Sequence, residues 1–350
     1  MSGGVDSSVS AYLLKEQGHQ CIGITMKLFS NEDICLSWKK VCCSQRDIED
    51  ASNVCSTLEI PFYVNDFTND FKSIVIERFI DIYRKGATPN PCIDCNRFIK
   101  FPKLLQRAKL FDADYVVTGH YARIVYENGR YLLKKANDVS KDQSYVLYTL
   151  TQDQLSRLLF PLGELHKTEV RNIAKKLGLL NAEKEDSQDI CFVPDGDYSS
   201  FIEKYTNQPN ISGNFLDMKG NILGKHNGII KYTIGQRRGL GIALNKPMYV
   251  FSKNINDNTV VLCEDEELFC NTLTATDFNW IAYDYLNKPI KIKAKIRYNQ
   301  EEESAVAEQI SDNDVRINFD KPQRAIAPGQ AVVLYDNDIV VGGGTIAPII

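Results

Sequence analysis

The sequence predicts an α/β chain whose N-terminal part is a parallel sheet covered by helices and whose C-terminal part is a small antiparallel β-barrel. Three observations predict it. Apolar strand-like runs alternate with amphipathic helical stretches up to about residue 120, the pattern of a parallel sheet with helices on both faces. From about residue 270 the runs KIKAKIRY, VRINF, QAVVLYD and DIVVGGGTI alternate with a period of two, as barrel strands do. Beyond residue 205 the texture changes to short strands and Gly- and Asn-rich turns.

Ser2-Gly3-Gly4-Val5-Asp6-Ser7-Ser8 runs straight into a helix marked by Val9, Tyr12 and Leu13 and stopped at Gly18. Two glycines permit tight left-handed turns, so several N–H groups can converge on a phosphate at the positive end of that helix. The Lys of the G-x-x-x-x-G-K-[ST] loop is missing, so this is a different cradle. CIGITMKLF (21–29) reads as a strand, 45–58 as a helix, PFYVNDF (61–67) as a strand, the stretch around 70–85 as a helix and ADYVVTGHY (113–121) as a strand. Ligands of such sheets sit beyond the C-terminal strand ends. The glycine turn and Thr118-Gly119-His120 both fall at such ends, which predicts one shared site. Asn128-Gly129, between Tyr121–Tyr126 and Tyr131–Lys135, predicts a hairpin. Helices near 151–159 and 167–178 close the first domain.

Composition narrows the function. The 350 residues are 43% hydrophobic and 25% charged, the balance of a globular protein. No apolar run reaches the roughly 20 residues that span a bilayer, and no secretory signal is present, which predicts a cytoplasmic protein. The net charge of −4 argues against a general nucleic-acid binder but leaves room for a local basic groove. Ten cysteines point to metal, redox or sulfur chemistry. Cys21, and Cys55 on the stripe Ile48, Ala51, Cys55, Leu58, read as core.

Thr88-Pro89-Asn90-Pro91-Cys92-Ile93-Asp94-Cys95-Asn96 is a loop stiffened by two prolines. Its C-x-x-C fits half a zinc site, a dithiol redox pair or part of an iron–sulfur site. Cys35 and Cys42-Cys43 show no ligand spacing that would complete a zinc site. Asp186-Ser187-Gln188-Asp189-Ile190-Cys191-Phe192 sets Cys191 in a polar-then-apolar turn, as a nucleophile if held as thiolate and as an inert packing residue otherwise. Lys141-Asp142-Gln143-Ser144, Lys225-His226-Asn227-Gly228 and the run Tyr232–Gly241 mix cations, amides, aromatics and glycine, suited to phosphate contacts and base stacking or to solvated turns. His120 and His226 carry no metal-ligand spacing.

SGGVDSS, CCSQRD, TPNPCIDCNRFIKF, TGHYARI, KDQSY, FPLGELHKTEVRNIA, DSQDICFVPDGDY, GKHNGI, YTIGQRRGLGIA and PQRAIAPGQAVVLY together resemble the tRNA-specific 2-thiouridylase family, in that family's order and over nearly the whole chain. The resemblance implies an ATP-pyrophosphatase domain of the adenine nucleotide alpha hydrolase type (1–205), a central linker domain with tRNA contacts (206–268) and a C-terminal β-barrel (269–350). It implies thiolation of the wobble uridine of Lys, Glu and Gln tRNAs with ATP and Mg²⁺. The sulfur is a persulfide delivered by a relay protein or cysteine desulfurase. By motif, Ser2, Gly3, Gly4, Val5, Asp6, Ser7, Ser8, Met26 and Gly119 would bind ATP. Asn90, Pro91 and Cys92 would surround the target base, and Lys141, Asp142, Gln143, Arg297 and Tyr298 would touch tRNA. Cys191 would carry the persulfide and Cys95 would act as nucleophile, the two forming a transient disulfide.

Two departures stand out. Many family members carry Asp where this chain has Cys92, which opens an alternative: Cys92, Cys95 and Cys191 as ligands of an iron–sulfur cluster that binds the incoming sulfide. Family members also carry an apolar strand just before the glycine turn, where this sequence has only Met1. The expectation is a longer natural product or an impaired version, since neighbouring backbone groups would lose partners.

Overall fold

The computed structural model describes residues 1–30, 45–184 and 190–348. Cys35, Cys42, Cys43 and Asp186–Asp189, singled out above, lie outside the described residues. By contacts the chain divides into two units: Met1–Ile76 with Pro91–Asp197 and Asp338–Val340, and Glu77–Asn90 with Tyr198–Asn337 and Val341–Ile350.

The first unit is the α/β part. Helix α1 (Val5–Glu16) begins at Gly4 and ends where Gly18, at φ 86°, returns its N–H to Lys15 O. It buries Val5, Val9 and Leu14, each worth about 1.5–3 kcal/mol when fully buried. Strand β1 (Gly23–Lys27) follows, then α2 (Gln45–Thr57) and β2 (Phe62–Asp66), which pairs parallel with β1 from Gly23 opposite Phe62 to Lys27 opposite Asp66. The stripe expected on α2 forms at Ala51, Cys55 and Leu58, with Val54 buried beside it, while Ile48 at its start is only half-buried. Cys21 differs from its expectation. It lies in the loop before β1, half-buried, with its thiol near His19 O, because the strand starts two residues later than the apolar run.

Helical turns cover Thr68–Ile76, and α3 (Phe101–Leu110) follows the cysteine turn. Strand β3 is only Val116–Val117. The hairpin forms as read: β4 (Arg123–Glu127) and β5 (Arg130–Lys134) turn over Asn128 and Gly129, both at positive φ. Residues 338–340 join this unit through Ile339 opposite Lys134 and an Arg123–Asp338 ion pair of 2.8 Å. The helix expected near 151–159 stops early: only Gln152–Leu155 is helical, and Leu158–Leu159 is β6, parallel to β3. Pairing and burial beside Val116 outweigh a helical pattern too short to sustain itself. Helix α4 (Lys167–Lys176) packs on α1, with Val170 and Ala174 in a core shared with Val5, Val9, Val54 and Leu58.

The second unit carries the β-rich part. Tyr83, from the helix Glu77–Arg84, stacks on Tyr198 of α5 (Tyr198–Thr206) at 4.5 Å and 9°. Strands β7 (Gly213–Leu216), β8 (Ile222–His226), β9 (Tyr249–Asn254) and β10 (Thr259–Cys263) form a sheet in the order β8-β7-β10-β9 around Phe215, Tyr232, Val250, Val260 and Leu262. His226 is wholly buried there between Phe215 and Tyr232, its ring bonded to Asn258 O.

Strands β11 (Phe269–Trp280), β12 (Ile290–Lys295), β13 (Glu303–Gln309), β14 (Val315–Arg324), β15 (Ala331–Asp336) and β16 (Ile339–Ile346) run in the order β11-β14-β13-β12-β15-β16, and β16 pairs back with β11. The barrel is therefore closed, which removes exposed edges. Alternate residues such as Ile292, Ala294, Val315, Ile317 and Phe319 fill it.

Candidate functional site

The glycine turn is built by close approach. Gly3 sits at φ +70°, and a Cβ there would stand 2.4 Å from Asp47 O, so only glycine fits. A Cβ on Gly119 would lie 2.8 Å from both Asp6 C and Ser7 N. The turn and the end of β3 thus meet, as the sequence predicts. Gly4 offers α1 no side-chain cap, which leaves the N–H groups of the first helical turn for an anion. Serines shape the turn instead: Ser7 Oγ accepts from Ser2 N at 3.1 Å and donates to Gly4 O at 3.0 Å, while Ser8 Oγ donates to Gly4 O at 2.9 Å. A phosphate fits this cradle: it is glycine-lined, backbone-walled and has free donors.

The charges around the turn are set by residues that the sequence reading assigned no role. The buried Lys167 ammonium, at the start of α4, lies 2.8 Å from both Asp6 carboxylate oxygens, and Tyr121 OH donates to Asp6 Oδ1 at 2.9 Å. Lys184 Nζ donates to Asp47 and Asp50 at 2.6 and 2.7 Å and to Gly3 O at 3.1 Å. Burial alone would pull that ammonium down; the two carboxylates reverse the effect and leave it raised. Asn181 donates to Gly3 O at 3.0 Å and to Ser8 Oγ at 2.9 Å. Lys167 stands inside the quoted run FPLGELHKTEVRNIA, and that run was the signal.

The cysteine turn follows from Pro91. Pro91–Asp94 is one helical turn, and Cys95–Lys100 continues as a wide π-helical turn, a distortion common at functional sites. Asn96 Nδ2 donates to Val146 O at 3.1 Å, which ties the turn to the segment after Lys141-Asp142-Gln143. Cys92 is exposed and Cys95 half-buried. The protein packed around Cys95 pushes its thiol up to about 11; Lys100 opposes this, and Cys92 and Asp94 add to it. Burial, helped by Lys100, holds His120 well below its ordinary value, so its ring is neutral, with Nδ1 2.7 Å from Thr118 Oγ1.

Cys191 is half-buried at the start of a turn whose next residue, Phe192, packs edge-on against Phe71 at 5.7 Å. The segment Thr68–Phe71 also packs against Cys95–Lys100, so both cysteine segments rest on the same helical stretch. None of the seven described cysteines is in a disulfide; the Cys95–Cys191 bond is not formed in this state. Among the described residues no group of three His, Cys, Asp or Glu side chains is placed to hold a metal ion, so Cys92, Cys95 and Cys191 do not make a cluster ligand set in this arrangement.

The remaining expected residues are placed as follows. Met26 lies near the C-terminal end of β1, half-buried. Met1, before the turn, donates from its amine to Ile24 O at 2.6 Å and accepts from Thr25 Oγ1 at 2.7 Å. Asp142 accepts from Ala136 N and Ser144 Oγ, and Gln143 exchanges two bonds with the Tyr121 backbone, so these two side chains brace the chain beyond Gly119. Lys141 is half-buried beside them. In the second unit Gln330 Nε2 donates at 3.0 Å to both Thr88 O and Pro89 O, just before Asn90. Arg297 donates to Ala325 O at 2.6 Å, and Tyr298 is exposed.

Residues 1–195 match the family described as tRNA methyl transferase HUP domain, residues 199–264 the tRNA methyl transferase PRC-barrel domain and residues 270–346 the aminomethyltransferase β-barrel domain. The class is therefore that of a HUP-type α/β nucleotide-binding domain followed by two β-barrel domains. Curated relatives match end to end. The tRNA-specific 2-thiouridylase MnmA of Lachnoclostridium phytofermentans is 52% identical over 348 residues, 99% of this chain and 98% of that one. Those of Thermoanaerobacter sp. and Clostridioides difficile are 53% and 51% identical, each over 99% of this chain and 96% of theirs. The chain belongs to the tRNA-specific 2-thiouridylase family. Among solved structures it is similar to the U34-tRNA thiolase NcsA from Methanococcus maripaludis with its [4Fe-4S] cluster at 20% identity and a TM-score of 0.34, over 59% of this chain and 69% of that one. That likeness is too distant to carry a cofactor across.

Proposed function

We propose that this chain is an ATP-dependent tRNA-uridine 2-sulfurtransferase acting on the wobble uridine of Lys, Glu and Gln tRNAs. Identity of 52% along 99% of the chain to a tRNA-specific 2-thiouridylase carries the reading. A uracil 2-oxygen is a poor leaving group. Transfer of AMP from ATP makes it detachable, and sulfur then displaces AMP.

Ser2, Gly3, Gly4, Val5, Asp6, Ser7 and Ser8 hold the phosphates, with Met26 and Gly119 beside the nucleotide. The same turn would hold the departing pyrophosphate together with Mg²⁺, whose charge would lower the barrier to that step. The uridine leaves its stack to enter the site, where Asn90, Pro91 and Cys92 surround it. Lys141, Asp142, Gln143, Arg297 and Tyr298 hold the tRNA. Cys191 carries the persulfide received from a relay protein or cysteine desulfurase. Cys95 attacks Cys191 to release the sulfur, leaving a Cys95–Cys191 disulfide. We divide the work among a catalytic domain (1–205), a linker domain (206–268) and a barrel (269–350), and place the enzyme in the cytoplasm; no helix among the described residues is long and apolar enough to cross a membrane.

The test is incubation with unmodified tRNA, ATP and a sulfur source, followed by nucleoside mass spectrometry. 2-Thiouridine that depends on ATP, Cys95 and Cys191 is expected. Its formation by a Cys191→Ser variant at the wild-type rate would overturn the sulfur route, and no product under any sulfur source would overturn the activity.

A further inference from the structure

Two features of the cysteine turn stand together. Cys92 and Cys95 lie three residues apart on one continuous helical path, with Asp94 at φ −60° and ψ −42° between them. Residues at this spacing are neighbours on one helix face, with Cβ atoms about 5–6 Å apart. A disulfide needs them at about 3.5–4.5 Å. Ile93 and Asp94 fill the buried side of the turn, while Cys92 is exposed and Cys95 half-buried. Cys92 is therefore the more accessible residue of the pair.

We propose that Cys92 is the resolving thiol of this site: it takes over the bond that Cys95 forms with Cys191, so that the oxidised state is carried as a Cys92–Cys95 pair. This rests on the sulfur route given above. The Cys92 thiolate attacks Cys95 Sγ, the Cys92–Cys95 bond forms, the Cys95–Cys191 bond breaks, and Cys191 leaves as thiolate, ready for the next sulfur. An external dithiol reductant then attacks exposed Cys92. Its own oxidation to a disulfide supplies the two electrons and two protons that restore both thiols. Proximity favours this exchange, since a thiol in the same turn acts at high effective concentration.

The experiment uses the full chain loaded with persulfide and freed of donor, given tRNA and ATP without reductant, then quenched in acid, alkylated and mapped after trypsin. In the wild type the peptide 86–97 is expected unalkylated and lighter by two hydrogens, with Cys191 alkylated. In Cys92→Ser, Cys95 and Cys191 are expected cross-linked, and reloading of Cys191 is lost until a small dithiol is added. A wild-type Cys95–Cys191 cross-link with Cys92 alkylated overturns the proposal. So does iron bound by Cys92 and Cys95 in the anaerobically purified chain. If no 2-thiouridine forms, the sulfurtransferase reading fails instead, and limiting diamide on the resting protein decides the pairing: Cys92–Cys95 supports the proposal, and any other first-formed pair overturns it.

Discussion

Gly119→Ala tests the proposed nucleotide site most directly. The new methyl would stand 2.8 Å from Asp6 C and Ser7 N and 3.0 Å from Asp6 Cβ. Two of these are backbone atoms, so one side must move. Gly119 is outside the left-handed region, and the whole effect is therefore steric. Crowding of this size costs about 1–3 kcal/mol. Which side yields depends on anchoring. The strand end is held by Thr118 N on Leu159 O and by the paired bonds between Tyr121 and Gln143, and Asp6 at the start of α1 is held by Lys167 and Tyr121. Between these anchors the two glycines of the turn are the softest backbone, so the turn yields, and the cost appears in nucleotide affinity, a loss of about 5- to 150-fold at 1.4 kcal/mol per tenfold. Calorimetric titration with a non-hydrolysable ATP analogue, beside a thermal melt, reads both quantities. Unchanged affinity with lowered melting temperature would show that the strand yields and that the turn is not the phosphate cradle; no change in either refutes the close approach itself.

Alkylation of Cys95 by iodoacetamide, followed by mass spectrometry, should climb about tenfold per pH unit past pH 9 and level off only near 11, because about one thiol in a thousand is ionised at pH 8. Access scales the rate but not its slope, so a plateau below pH 9 refutes the raised thiol. The same shift means that the folded state binds this proton more tightly. Its contribution to stability is complete below 9.0 and is lost as pH rises towards about 11. Lys167→Met removes both lysine bonds from the Asp6 carboxylate and keeps the one from Tyr121 OH. Breaking a buried pair costs about 3–5 kcal/mol; Asp6 is partly exposed, so water recovers part of that and about 1–2 kcal/mol is expected. A melting temperature and ATP affinity both equal to wild type would sink this.

What the sequence made legible was local. The glycine turn, the hairpin over Asn128-Gly129, the stripe of α2 and the period-two barrel strands all depend on residues within a few positions of each other, so their patterns survive in one dimension. What it hid was long-range. Lys167 reaches Asp6 across 161 positions, and Asn181 reaches Gly3 across 178. Nothing in the spacing of a lysine at a helix start announces such a partner. β6 was missed for the same reason: Leu158 and Leu159 are a strand only because Val116 and Val117 lie beside them.

The site itself combines both kinds of information. A glycine can be read as a demand for space, but what fills the space is known only when Asp47 O is found 2.4 Å from where the Gly3 side chain would begin. A C-x-x-C can be read as a pair, but which thiol faces water decides its chemistry. Here burial raises both thiols, but Cys92 is exposed and Cys95 half-buried. That asymmetry argues for an order of events, with the inner sulfur meeting the internal partner and the outer one meeting the reductant, and the spacing alone is symmetric between them.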